Sequence, residues 1–114
     1  MERKIEKKFI DIYAVILKAV SNTTRLNILY SLYEKPKTWT ELIFELEVNP
    51  KSLRDHLVFL RKARLVKKGK NKGFELTTAG KTFIELSLKD VISTIKKAAE
   101  LAEEKQKLRN KNAS

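Results

Sequence analysis

The chain has 114 residues, no cysteine and one histidine, with 25 Lys and Arg against 14 Asp and Glu, giving a formal net charge of +11. This length suits one domain with a single hydrophobic core, and a chain without cysteine has no disulfides and no thiolate metal sites. No apolar run approaches a membrane span, and no hydrophobic region follows the charged N-terminus. We expect a soluble, cytoplasmic protein with no cofactor and no resident metal.

The charge is concentrated in one part of the chain. Residues 48–73 contain nine Lys or Arg and one acid, Asp55, a net charge of +8, whereas residues 34–47 have a net charge of −2. A general excess of lysine would not be so polarised. The window therefore indicates a polyanionic partner.

Three helices are predicted in the first half of the chain. Apolar spacings of three and four predict the first over 5–20, with a stripe formed by Phe9, Ile12, Tyr13, Ile16 and Val20. A second helix ends near Tyr33, before Pro36. Its predicted inward residues are Leu26, Leu29, Tyr30 and Tyr33, with Ile28 and Leu32 broadening that face. A short extended piece over 38–40 includes Trp39, which we interpret as a core or strand-pairing residue. Thr40 is expected to cap a third helix over 41–46.

A fourth helix and a hairpin follow. Asn49 is a good N-cap and Pro50 a good first helical residue, so the fourth helix is predicted to run to Ala63, with its core face formed by Leu53, Leu57 and Leu60. Alternating segments 65–68 and 73–76 around the turn 69–72 predict a β-hairpin whose inward residues are Val66, Phe74 and Leu76. Thr77 or Thr78 then caps a last helix that extends to about Arg109.

Two short helices joined by a tight turn and followed by a basic hairpin form the order of a winged helix-turn-helix. The fourth helix is expected to enter the major groove of double-stranded DNA. Arg54 suits a bidentate contact to guanine, Ser52 a base or a phosphate, and Asp55 either a cytosine amino group or the orientation of Arg54. Phosphate contacts are expected from Lys51, Arg61, Lys62, Arg64, Lys67, Lys68, Lys70 and Lys72. The alternative for the hairpin is a solvated turn that only closes the core.

Three segments resemble the ArsR family of winged-helix regulators and its relatives. Residues 21–29 (SNTTRLNIL) resemble the family's S-D-P-T-R-L-x-I-L, and residues 51–66 (KSLRDHLVFLRKARLV) its recognition helix, S-x-V-S-x-H-L-x-x-L-x-x-A-G-L-V. Residues 76–81 (LTTAGK) are similar to the L-T-x-x-G step of MarR- and PadR-type relatives. The resemblance implies a dimeric transcription factor that reads DNA with its fourth helix, and it suggests a phosphate contact for Arg25. An ion pair with a nearby carboxylate is the alternative for Arg25.

The chain also departs from that pattern. Arg64 replaces the glycine that usually ends the recognition helix, which costs about 1 kcal/mol if the position is left-handed. A phosphate contact could account for the arginine, or the turn could differ. The metal-sensing cysteines of many ArsR-type proteins are absent. For His56 we favour a structural role over a ligand or pH-sensing role.

The last helix carries an apolar stripe with a heptad spacing. The stripe predicts a dimer interface formed by Ile84, Leu88, Val91, Ile95, Ala98 and Ala102. The alternative is that the helix folds back on its own domain. The predicted organisation is a DNA-binding domain over 1–82, a continuous dimerisation helix over 83–110 and a frayed tail over 111–114.

The expected fold class is therefore mainly α with a small β-hairpin, a winged helix-turn-helix with a long C-terminal helix. The sequence has no Gly-rich phosphate loop and no nucleophile with a matched base, so an enzyme is not expected. Alternatives to a sequence-specific, nucleoid-associated regulator are an architectural DNA-binding protein, a protein-interaction module and an RNA-binding protein.

Overall fold

The computed structural model describes residues 5–113, except for the side chains of 87–89 and 113. The chain divides into two compact units, Met1–Thr82 and Phe83–Ser114. The elements that begin before this boundary are α1 (Lys7–Val20), α2 (Thr23–Glu34), β1 (Lys37–Thr38), α3 (Trp39–Leu46), α4 (Pro50–Lys62), β2 (Val66–Lys68), β3 (Gly73–Leu76) and α5 (Thr78–Phe83). The mainly helical fold with a small sheet and a long C-terminal helix is the predicted one.

The start of α3 differs from the prediction. The Thr38 hydroxyl accepts a hydrogen bond from the Glu41 backbone N–H, and the Glu41 carboxylate accepts one from the Thr38 N–H. This reciprocal capping box places the N-cap at Thr38 rather than at Thr40, because it pairs two backbone donors that a cap at Thr40 would leave open. Trp39 is therefore the first residue of a helix, half-buried, and not a strand residue.

The predicted hairpin is confirmed, and it belongs to a larger sheet. In β2 and β3, Val66 pairs with Leu76 and Lys67 with Glu75. The strand order among the described residues is β1-β3-β2, because β1 pairs with the other edge of β3 at Lys37↔Phe74. The extended piece predicted over 38–40 is thus a two-residue strand that lies one position earlier in the chain.

The core of the first unit lies between α2, α3, α4 and the hairpin. Its fully buried side chains are Ile28, Leu29, Leu42, Leu53, Leu60 and Leu65, and each contributes about 1.5–3 kcal/mol of burial free energy. Val66, Phe74 and Leu76 are buried as predicted. The predicted inward orientation of Tyr30 is wrong. Its side chain is 54% exposed, because Ile28, Leu29 and Leu32 form the buried face of α2.

The apolar stripe of α1 has little cover in the single chain. Phe9, Ile12 and Tyr13 are each more than half exposed, and Ala19 is the residue of α1 that is buried. The predicted helix and stripe are present, but the stripe is a surface of the single chain rather than part of its core.

A buried lysine, which sequence reasoning missed, joins α2, β1 and α3. The Lys37 ammonium donates hydrogen bonds to Ser31 Oγ at 2.8 Å and to both carboxylate oxygens of Glu45 at 2.8 and 2.7 Å, and it lies 3.4 Å from Glu34 Oε2. Burial alone would lower the pKa of Lys37, but its bonds to Glu45 and Glu34 outweigh that and raise the pKa. The charge is paired, as a buried ammonium requires.

The second unit continues from α5 through a π-helical turn, Ile84–Leu88, into α6 (Lys89–Ala113). A π turn takes more residues than an α turn, so the heptad spacing read from Ile84 does not continue in phase through it. Ile84 is buried in the single chain, and this removes it from the exposed stripe. Val91, Ile95, Ala98 and Ala102 are exposed, while the side chain of Leu88 lies outside the described residues.

The last helix is also longer than predicted. It includes residues 111–113 of the segment predicted to fray, and Ser114 lies outside the described residues. Among the helices that the structure describes, none combines the length and the apolar composition needed to cross a membrane.

Candidate nucleic-acid interface

The first turn of α4 is fixed by its own sequence. The side-chain oxygen of Asn49 accepts hydrogen bonds from the backbone N–H groups of Lys51 and Ser52 at 2.8 and 3.3 Å, and Pro50 occupies the first helical position. These contacts satisfy two of the unpaired donors at the helix start. Leu53, Leu57 and Leu60 are buried on the opposite face, so the rotation of α4 about its axis is set.

α4 carries half of the predicted DNA-binding residues, and most of these lie on its exposed face. Its exposed charged side chains are Lys51, Arg54, Asp55, Arg61 and Lys62. Within residues 5–113, none of them forms an ion pair, and Asp55 does not pair with Arg54. Ser52 is only half exposed.

Sequence reasoning missed one residue of this face. Val58 is 42% exposed and lies between Arg54 and Arg61 at helical spacings of four and three. The same periodicity that identified the charged residues could have found it. An apolar side chain here suits contact with a thymine methyl group.

The wing is defined here as the β2–β3 hairpin with its turn, residues 66–76. Lys67 lies opposite Glu75, and its ammonium is 3.5 Å from the Glu75 carboxylate, which offsets part of its charge. Lys68, Lys70 and Lys72 are exposed and have no ion pair in the part of the chain that the structure describes. These three lysines therefore make up the unpaired charge of the wing.

The tip of the wing is a tight turn with an unusual backbone. Gly73 N–H donates to the Lys70 carbonyl at 3.0 Å, and Asn71 and Lys72 between them have φ of 57° and 59°. Positive φ at both central residues is the pattern of a type I′ turn. Lys72 holds a conformation that glycine adopts more readily, and its ammonium is carried at the tip.

α4 and the wing meet at one shallow cleft. It has a volume of about 460 Å³ and is lined by Val58, Arg61, Lys62, Val66, Lys67 and Lys68. Basic side chains from two elements that the sequence separates by turns are thus brought to one surface. That surface is suited to a continuous polyanion.

Arg25 makes contacts within the fold that the sequence did not predict. Its guanidinium donates to the carbonyls of Ala19 and Lys18 at the end of α1, at 2.6 and 3.1 Å, and one Nη lies 3.3 Å from His56 Nδ1. The central carbon of the guanidinium, Cζ, also lies over the Phe59 ring. Among the described residues no carboxylate pairs with Arg25, so the ion-pair alternative has no support there. The phosphate contact stays a prediction, with much of the guanidinium already engaged.

His56 is half-buried at this junction, in keeping with a structural role. Burial lowers the pKa of His56, and the nearby Arg25 charge lowers it further, while Asp55 acts in the opposite direction. Burial and the Arg25 charge both favour the uncharged ring.

The end of α4 explains the L-T-x-x-G step. Arg64 is exposed and left-handed, with φ 62°, the conformation considered from the sequence. Thr77 Oγ1 donates to the Arg64 carbonyl at 2.7 Å and accepts from the Gly80 backbone N–H at 3.0 Å. A Cβ on Gly80 would collide with the Leu65 carbonyl oxygen. Thr77 and Gly80 therefore hold the start of α5 against the end of α4.

The Asp, Glu and His side chains that the structure describes form no cluster of three able to hold a metal ion.

The family model for "Bacterial regulatory protein, arsR family" matches residues 22–68, the span from the start of α2 to the end of β2. The solved structure of HlyU from Vibrio cholerae is 33% identical to this chain over 71% of this chain and 92% of its own, with a TM-score of 0.63. The chain belongs to the ArsR family.

Other ArsR-like structures share the fold. HlyU from Vibrio vulnificus, described as a transcriptional regulator, is 28% identical over 70% of this chain and 88% of its own, with a TM-score of 0.59. The winged helix-turn-helix domain of Mb0332 from Mycobacterium bovis has 19% identity over 82% of this chain and 91% of its own, with a TM-score of 0.65, and shows the fold alone. Curated protein sequences give no significant match. As an ArsR-family winged-helix protein, the chain is a DNA-binding transcriptional regulator and not an enzyme.

Proposed function

We propose that this chain is a sequence-specific regulator that binds double-stranded DNA as a dimer, with α4 in the major groove and the wing on the flanking backbone or minor groove. The observation that carries the proposal is the division of α4 into two faces. Leu53, Leu57 and Leu60 are buried, while Arg54 and Asp55 are exposed and form no ion pair with any residue that the structure describes. A capped helix with this rotation presents its first turns to base edges.

Base reading is assigned to the first two turns of α4. Arg54 has the planar fork that suits O6 and N7 of guanine, and Asp55 can accept from a cytosine amino group. Ser52, half-buried beside the cap, has less reach than either of them. Val58 adds an apolar contact one turn further along the same face.

Affinity is assigned to the basic residues around that centre. Lys51, Arg61, Lys62 and Arg64 surround the base-reading positions, and the wing adds Lys68, Lys70 and Lys72. Lys67 contributes less because of Glu75. Such contacts to phosphate release counterions and carry no sequence information. A DNA-bound protein of this kind would be associated with the nucleoid.

Dimerisation is supported by apolar surface that the single chain leaves open. In α1, Phe9, Ile12 and Tyr13 are 53–60% exposed, and in α6, Val91 and Ile95 are 52% and 60% exposed. A second copy is the simplest cover for two such helices. Mb0332 is described as homodimeric. A dimer would also let two α4 helices read half-sites about one DNA turn apart.

The test separates base reading from charge. Arg54→Ala is expected to lower discrimination between the operator and a random duplex by about 1–3 kcal/mol, and Lys70→Ala to weaken both equally and reduce the salt slope by about 1. Lys67→Ala is the matched control, with a smaller effect than Lys70→Ala. Equal loss of discrimination in Arg54→Ala and Lys70→Ala would contradict the assignment.

The two alternative functions give other results in the same assay. An architectural protein would bind operator and random duplex with equal affinity, and Arg54→Ala would leave the two affinities equal. A protein-interaction module would bind neither duplex at moderate salt.

A further inference from the structure

A single guanidinium connects three helices next to the DNA-reading surface. Arg25 lies in the first turn of α2, donates to two carbonyls at the end of α1, and reaches His56 and Phe59 in α4. His56 directly follows Asp55 in the same helix turn. The position of α4 relative to α1 and α2 is therefore linked to the state of this contact.

The chemistry of the contact determines which form of histidine takes part. An arginine side chain has only hydrogen-bond donors, so the Nδ1 atom of His56, 3.3 Å from the guanidinium, accepts. Nδ1 accepts only when it carries no proton. The contact therefore requires the neutral tautomer of His56, with its proton on Nε2. Protonation at Nδ1 would remove the bond and place two positive charges together.

We infer that Arg25 and His56 are positioning residues for DNA reading: neutral His56 fixes α4 against Arg25, and protonation of His56 releases α4 and weakens DNA binding. The charges that act on His56 are those of Arg25 from α2 and Asp55 from its own helix. The inference rests on the proposed function.

The sign of the pH effect distinguishes this role from simple electrostatics. Protonating a histidine adds one positive charge to the protein, and added charge strengthens binding to DNA. The positioning role predicts the opposite, because the bound form requires the neutral ring. By linkage, DNA binding should then lower the pKa of His56 further.

His56 is the only histidine of the sequence. Between about pH 7.5 and pH 5.5 no other side chain with an ordinary pKa titrates, so a pH effect in this range can be assigned to one side chain. Anisotropy of a labelled operator duplex at constant salt should show affinity falling as His56 becomes protonated, by about threefold to tenfold between the neutral and the protonated ring, the value of one lost hydrogen bond. His56→Gln keeps an acceptor that cannot be protonated and should show no such fall.

A second readout needs no variant. The ring-proton NMR signal of His56, titrated in the free protein and in the complex, should give a lower pKa in the complex. Wild-type affinity that is constant or rises while the His56 ring of the free protein becomes protonated, or an unchanged or raised pKa in the complex, would overturn the inference. Failure to bind the operator in preference to random duplex at pH 7.5 would contradict the proposed function itself, whereas specific binding that ignores pH contradicts the positioning role alone.

Discussion

The guanidinium carbon of Arg25 lies 4.4 Å from the centroid of the Phe59 ring, which belongs to the C-terminal half of α4. Together with the bonds to Ala19 and Lys18, this contact makes Arg25 part of the folded framework. Arg25→Lys keeps the charge and loses the planar fork. We expect it to lower the free energy of unfolding by about 1–3 kcal/mol, measured by urea denaturation.

Arg54→Lys is the control for that change. Arg54 is exposed and has no ion pair in the described chain, so the same substitution there should change stability by less than about 0.5 kcal/mol. Equal effects at the two positions would show that the Arg25 contacts do not stabilise the fold.

Gly80 is expected to be the glycine least tolerant of substitution. A Cβ there meets the Leu65 carbonyl oxygen, which the backbone holds in place. Gly80→Ala should destabilise the protein by about 1–3 kcal/mol through this overpacking. Gly69→Ala is the control, because its Cβ would meet only the movable Glu75 carboxylate at 3.2 Å. Thermal unfolding of both variants distinguishes them, and a Gly80→Ala protein as stable as Gly69→Ala would contradict the close approach.

The buried lysine gives a pH-dependent prediction. The hydrogen bond from Lys37, followed by that from Ser31, lowers the pKa of Glu45. A carboxyl whose folded pKa is below its unfolded value of about 4.5 stabilises the protein above that pH and loses its contribution as pH falls through the folded value. Glu45→Gln should therefore be less stable than wild type at pH 7, and the difference should shrink below about pH 4.5.

Urea denaturation at several pH values measures that difference. Glu47→Gln, which changes an exposed carboxylate without an ion pair in the described residues, should follow the wild-type acid response. A Glu45→Gln difference that stays constant down to pH 3 would contradict the pairing with Lys37.

What the sequence could predict depended on how local the signals were. Asn49 and Pro50 fix the start of α4 within two residues, and alternation around 69–72 fixes the hairpin. The Thr38–Glu41 spacing was also present in the sequence and could have placed the start of α3. By contrast, the pairing of Lys37 with Phe74 joins residues distant in the chain, and no local pattern predicts it.

The candidate site shows the same limit. The exposed face of α4 follows from periodicity, including Val58. The contacts of Arg25 with Ala19, His56 and Phe59 require three helices to pack first, so a motif match suggested only a phosphate contact. The π turn at Ile84–Leu88 likewise interrupts a heptad that looked continuous in the sequence.

Dimerisation is tested by placing charge on the exposed stripe of α6. Val91→Lys with Ile95→Lys should give a monomer by light scattering, with much weaker DNA binding, because two ammonium groups cannot be buried against a second copy. Ser93→Lys with Glu100→Gln adds the same net charge away from the stripe and should leave the dimer intact. A dimer that survives the first pair of changes would remove α6 from the proposed interface.

The most direct test of the account is binding of the purified protein to a labelled duplex from upstream of its own gene. Anisotropy would be followed in excess random competitor DNA at about 50 and 200 mM salt. We predict binding that survives the competitor at both salt concentrations. Binding lost to the competitor at both concentrations would contradict it, and the base-reading roles of Arg54 and Asp55 would have to be withdrawn.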